Sequence, residues 1–236
     1  KDRVKLKLQN IIHDDRLLLH DFWKYTSPVL GNEIVWGVGF TMYSVIMGHL
    51  GTDAVAANSI VNIAKNLISC FCLGLASGGG IMVGNELGAG QLETAKRYGK
   101  KLCKIAVISG FVSGVVLIAL SPVIIHIAKL SETSTAYLRI MFFMCAYNLI
   151  GYSVNSTTVA GIFCAGGDSK FGLRCDSVVM WCITVPLGLI AAFIFKLPVV
   201  WVFFIVNLDE LMKLPAVYIH YQKYKWVKDL TVKENI

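Results

Sequence analysis

Charge is what this sequence has least of. Asp, Glu, Lys and Arg together make up 16% of the chain, hydrophobic residues 56%, and mean hydropathy is +0.63. Soluble domains carry about a quarter charged residues, so a water-exposed surface of this size would go largely uncovered. A lipid exterior removes that requirement. Backbone in lipid must satisfy its own hydrogen bonds, which leaves helices or a closed barrel. The short alternating segments of a barrel are missing. Apolar blocks of about twenty residues or more stand in their place, the length of a spanning helix. The sequence also lacks the signatures of catalysis: no Ser-His-Asp set, no HExxH and no paired Cys/His spacing, so no enzyme is indicated. The glycine-rich stretches lack the GK[ST] ending of a phosphate loop. None of the seven cysteines forms a CxxC pair; they read as small buried hydrophobes in a reducing setting.

What is present is an all-α integral membrane protein, a bundle of six transmembrane helices. Residues 1–25 are charged and amphipathic and suit a cytoplasmic linker lying along the membrane surface. Residues 26–222 hold the six spans: about Thr26–Gly48, Ala54–Val83, Leu102–Leu120, Thr135–Cys164, Phe171–Phe195 and Pro198–Tyr221. Ser121-Pro122 is expected to break the third, with a short apolar piece to Ala128, and Pro186 to kink the fifth. Residues 223–236 form a basic cytoplasmic tail. Joins one, three and five carry only His49, Lys129 and Lys196, whereas the second join carries Lys96, Arg97, Lys100, Lys101 and Lys104. Cytoplasmic flanks collect Lys and Arg, so both termini are expected in the cytoplasm of a multi-pass plasma-membrane protein. The net charge of +7 is accounted for by these flanks, with no nucleic-acid motif. Starting at Lys1 rather than Met, with no signal peptide pattern, the chain reads as part of something longer.

Ionisable groups in lipid cost roughly 2.5–3.5 kcal/mol each on insertion scales, so each needs a reason. Glu33 lies one to two turns into the first span, where headgroup solvation competes with a functional role. Lys65 lies about 18 Å into the second at 1.5 Å per residue. Asp209 and Glu210 lie at matching depth in the sixth, and one of them is the expected partner of Lys65, in a direct ion pair or through one water; adjacent acids point about 100° apart, which argues against one shared site. Lys213, four residues beyond Asp209, suits an ion pair along the helix. Asn58, Asn62, Lys65 and Asn66 share a helical face, either as a cavity wall or as hydrogen-bond glue between helices. In the fourth span Asn148 and Asn155, seven apart, share another.

With Pro28, Glu33 and Trp36 in the first span, the run Gly48-His49-Leu50-Gly51-Thr52-Asp53-Ala54-Val55-Ala56-Ala57-Asn58, the stretch Val83-Gly84-Asn85-Glu86-Leu87-Gly88-Ala89-Gly90 and Ala165-Gly166-Gly167-Asp168, the sequence resembles the multidrug and toxic compound extrusion (MATE) family over nearly its whole length. The similarity is to the second six-helix half of a bacterial-type member, with Gly84, Asn85, Glu86, Gly88 and Gly90 as a structural turn motif. It implies a cation-coupled antiporter: Na⁺ or H⁺ flows inward as a drug or toxin leaves through a cleft shared with an N-terminal lobe. Family members that bind the ion in this lobe use acids in its first and fourth helices. Here that implies a Na⁺ position near Glu33. The fourth span has no acid, so Asn148, Asn155, Asp209 or Glu210 would have to substitute. A lipid-linked oligosaccharide flippase of the same superfamily and a six-helix scaffold or regulatory subunit are the alternative readings. No other cofactor is implied.

Overall fold

A computed structural model describes residues 16–228. The linker as far as residue 15 and the tail from residue 229 lie outside the described residues. Among those described, the chain is helical throughout, arranged as six rods. The first three are single helices: α1 (Arg16–His49), α2 (Thr52–Gly88) and α3 (Leu92–Ala128). The fourth is α4 (Glu132–Asn155), continued by a π-helical segment, Ser156–Phe163. The fifth is α5 (Ser169–Asp176), a π segment (Ser177–Thr184), α6 (Val185–Leu189) and a second π segment (Ile190–Ile194). The sixth is α7 (Val199–Val206) and α8 (Asp209–Gln222). Four stretches are long and apolar enough to cross a membrane as they stand: Phe22–His49, Thr52–Gly88, Leu92–Ala128 and Ser169–Ile194.

The expected break at Ser121-Pro122 does not occur; α3 runs through it. Proline removes an N–H and crowds the carbonyl four residues back, here that of Ile118. The Ser121 hydroxyl donates to that same carbonyl at 2.8 Å, which supplies the missing bond in the way lipid-embedded helices tolerate proline. The glycine-rich join is also shorter than expected. Gly84, Asn85, Glu86 and Gly88 are the last turns of α2. Only Gly90 leaves the helix, at φ 72°, and Gln91 N–H then reaches Glu86 O at 2.9 Å while Gly90 N–H reaches Leu87 O at 3.1 Å. That pair of bonds is a Schellman cap, which needs a left-handed residue where glycine sits. The expected kink at Pro186 takes the form of a proline opening α6, with π segments on both sides.

The core has two parts. One gathers Ile46, Val61, Met141, Phe142, Leu149 and Phe203 near one end of the bundle. The other gathers Val83, Leu87, Leu102, Phe163 and Trp226 near the opposite end. Helices α3 and α4 approach closely enough that a side chain on Gly114 would lie 2.6 Å from Ala146 O, and one on Gly110 2.7 Å from Ile150 Cα. Small residues at a seam let dispersion contacts do the work that water would otherwise drive. Buried hydroxyls cross the seam: Ser109 and Ser153 Oγ are 2.8 Å apart, and Ser153 donates to Ala106 O at 2.8 Å. At the end of the bundle where α1 meets α2, Ser131 caps α4 by accepting from Ser134 N–H. Ser131 and Ser134 hydroxyls both donate to Asp53 Oδ1 at 2.6 Å. These two donors hold the Asp53 carboxyl below its ordinary range.

Candidate functional site

The sixth rod is not the single helix expected from sequence. It stops at Asn207, restarts at Asp209, and so places Asp209 and Glu210 in the first turn of α8. Carboxylates are favoured there by the unpaired N–H groups and the dipole of a helix start. The break is held from two sides. Asn148 Nδ2 donates to Asn207 O at 2.8 Å. Lys65 Nζ donates to Asn207 Oδ1 at 3.5 Å. Asn207 in turn donates to Phe203 O, in the last turn of α7.

Below the break lies a buried ion cluster. Lys213 Nζ is 2.9 Å from Asp176 Oδ1, 3.0 Å from Glu210 Oε1 and 3.8 Å from Asp209 Oδ2. Asn155 Nδ2 donates to Glu210 Oε2 and to Glu210 O, each at 2.8 Å. All five side chains are buried, Lys213 to within 4% exposure. Adjacent acids do serve one centre here, because a lysine three and four residues on reaches both. Lys65 makes no direct ion pair with these acids; its ammonium donates to Asn207 Oδ1 instead. Lys65 nevertheless lines the same cavity as both acids.

That cavity has about 70 Å³ of free interior, room for a few waters. Asn58, Asn62, Lys65 and Asn66 contribute one wall, with Asn62 donating to Asn58 Oδ1 at 3.1 Å; the shared face read from sequence is a cavity wall. Asn148, Asp209 and Glu210 contribute the other, and Trp36, Phe40 and Tyr43 of α1 close it. Asn155 stands behind the wall as a partner of Glu210. Glu33, one turn before Trp36, lies outside the cavity and is exposed. Gly84 and Asn85 border a separate, shallow groove between α2 and the fourth rod; Glu86, Gly88 and Gly90 take no part in either. Two contributors were missed in the sequence: Asp176, eight residues past a glycine turn, and Asn207, hidden between Val206 and Leu208.

Six rods with lipid-facing exteriors around a charged interior define a multi-pass membrane protein with the fold of a MATE transporter half. The solved MATE transporter VcmN of Vibrio cholerae, in its bent form, superposes with a TM-score of 0.78 at 14% identity, over 90% of this chain and 48% of that one. The chain belongs to the MatE family, whose family model matches residues 28–190. Multidrug and toxin extrusion protein 1 of Xenopus tropicalis is 27% identical over 169 residues, 72% of this chain and 29% of that protein. A probable multidrug resistance protein NorM of Listeria monocytogenes is 35% identical over 78 residues, 33% of this chain and 17% of that protein. This chain thus spans about half of the solved transporter and under a third of the Xenopus relative.

Proposed function

We propose that this chain is the C-terminal lobe of a multidrug antiporter in the plasma membrane, with both termini cytoplasmic, exporting cationic or amphipathic small molecules against an inward flow of Na⁺ or H⁺. The observation that carries the reading is the buried charged cavity at the break in the sixth rod. A membrane protein keeps such groups in lipid only for a use that offsets their insertion cost. Broken helices beside a midplane cavity are the usual construction of a transport site. The cavity is too small for a drug molecule, so the substrate cleft needs the N-terminal lobe as its other wall. The names of the relatives, extrusion and multidrug resistance proteins, support the same substrate class.

Of the two positions considered for the coupling ion, burial favours Asp209 and Glu210 over exposed Glu33. Three carboxylates share one tethered ammonium, Lys213, with Lys65 across the cavity. The set carries an excess of negative charge if all are ionised, and Asp209 has the longest contact to the ammonium. Lys213 opposes any positive charge added there, Na⁺ and H⁺ alike, so both stay as candidate coupling ions. The test is drug export by the complete transporter carrying Asp209→Asn, alongside Glu33→Gln. Loss of coupled export in the first with retained expression supports the assignment. Wild-type export by Asp209→Asn rejects it, and loss only in Glu33→Gln returns the ion to the first rod.

A further inference from the structure

The outer side of α3 changes chemistry along its length. Its buried side is small and apolar: Ala95, Gly99, Leu102, Ala106, Gly110 and Gly114. On the opposite side Arg97, Lys100, Lys101 and Lys104 are exposed. Offsets of three, four and seven place them on one helical face. The same face continues as Ile105, Ile108, Phe111, Val112 and Val115, each 46–62% exposed. In a spanning helix such a run meets acyl chains. The basic stripe stands one turn before it, with Lys104 about 6 Å along the axis from Ile108, which is headgroup depth.

The end of the chain adds to this face. Trp226 is fully buried, its indole packed on Gly99 and its backbone against Gly166. The Tyr224 ring lies 5.5 Å from Lys96 Nζ. That docking sets the exposed Lys223, Lys225 and Lys228 beside the base of α3. Glu93 pairs with Lys96 at 2.7 Å. None of the other seven basic groups takes part in an ion pair among the described residues.

We propose that this face binds the headgroups of anionic phospholipids in the leaflet it meets. Rows of unpaired cations directly above a lipid-facing apolar stripe complement a layer of phosphates whose acyl chains lie alongside Ile108 and Phe111. A soluble acidic protein would need no such alignment with the acyl-chain stripe.

The test uses the complete transporter, delipidated and returned to nanodiscs of phosphatidylcholine alone or mixed equally with phosphatidylglycerol, with bound lipid read by native mass spectrometry. Wild-type protein should retain phosphatidylglycerol in preference to phosphatidylcholine. Replacing Arg97, Lys100, Lys101 and Lys104 by Gln should lower that preference roughly fivefold for each charge removed. A charge-preserving set, Arg97→Lys with Lys100, Lys101 and Lys104→Arg, should keep it. An unchanged preference in the glutamine variant overturns the proposal. So does a lost preference in the charge-preserving set, or binding of polyglutamate by a wild type that does not discriminate between lipids.

Discussion

One amide of Asn155 serves Glu210 twice, donating from Nδ2 to the carboxylate oxygen Oε2 and to the backbone carbonyl of the same residue, each at 2.8 Å. The contact joins the end of α4, where the fourth rod passes into its π segment, to the first turn of α8. It fixes both the side chain and the backbone of the acid that carries the strongest contacts to Lys213 on its own helix.

Asn155→Ala should therefore destabilise the transporter by about 2–3 kcal/mol, because hydrogen bonds to a buried charge are the costly ones to lose. The check is the thermal midpoint of the complete protein in detergent. An unchanged midpoint would show that the amide is replaceable at this position.

Lys213→Ala should cost more, about 3–5 kcal/mol, since it leaves three buried carboxylates without the ammonium they share. Adding Glu210→Gln and Asp176→Asn should recover a large part of the loss, because the stranded charges go with the lysine. Midpoints for the single and triple variants decide the matter. If the triple variant is the less stable of the two, the cluster is held by shape rather than by charge balance.

Single cysteines placed at Lys100 and Lys129 should label from opposite sides of the membrane. The two positions lie near the start and just past the end of α3, about 43 Å apart along a helix of 1.5 Å rise. The measurement uses a membrane-impermeant maleimide on intact cells, with cysteines elsewhere replaced. Equal labelling from outside would refute the orientation proposed for both termini.

Acid should loosen the contact between the first turn of α2 and the start of α4. Asp53 has its folded-state pKa lowered from 3.8 by the Ser131 and Ser134 hydroxyls. The stability it contributes is present above the unfolded value and is lost as pH falls through the lower folded one. The stability difference between wild type and Asp53→Asn should thus be steady near about pH 5 and shrink toward about pH 2. A constant difference over that range would mean that the serines bind the neutral side chain equally well.

Much of the fold was legible because lipid imposes a strong rule: every spanning segment must be apolar for about twenty residues. The Asn58, Asn62, Lys65 and Asn66 stripe was legible for a related reason, since a polar face at helical spacing has to turn inward. The break at Asn207 was not. Val199–Val206 and Asp209–Gln222 read as one apolar run, and the signal against continuity was local. Asn207 can bond its own helix through Phe203 O and leaves its carbonyl to Asn148, a contact 59 residues distant in sequence. Asp176 went unmarked although it lies five residues inside the fifth span. Its use depends on Lys213, and no spacing rule links residues on separate rods. Pro122 misled in the opposite direction: the hydroxyl that repairs its missing bond belongs to the residue just before it.

The glycine seam between α3 and α4 sets how this bundle can be deformed. With Ala146 O lodged where a Gly114 side chain would stand, the two helices interlock like teeth, and sliding one past the other by even a single residue would drive larger side chains into that space. The pair behaves as a spar. Bending has to be taken up where the backbone ladder is already interrupted, at Asn207 and along the π-helical stretches of the fourth and fifth rods. The charged cavity lies against the first of these hinges, so a change in what it holds acts on the part of the bundle that is least stiff.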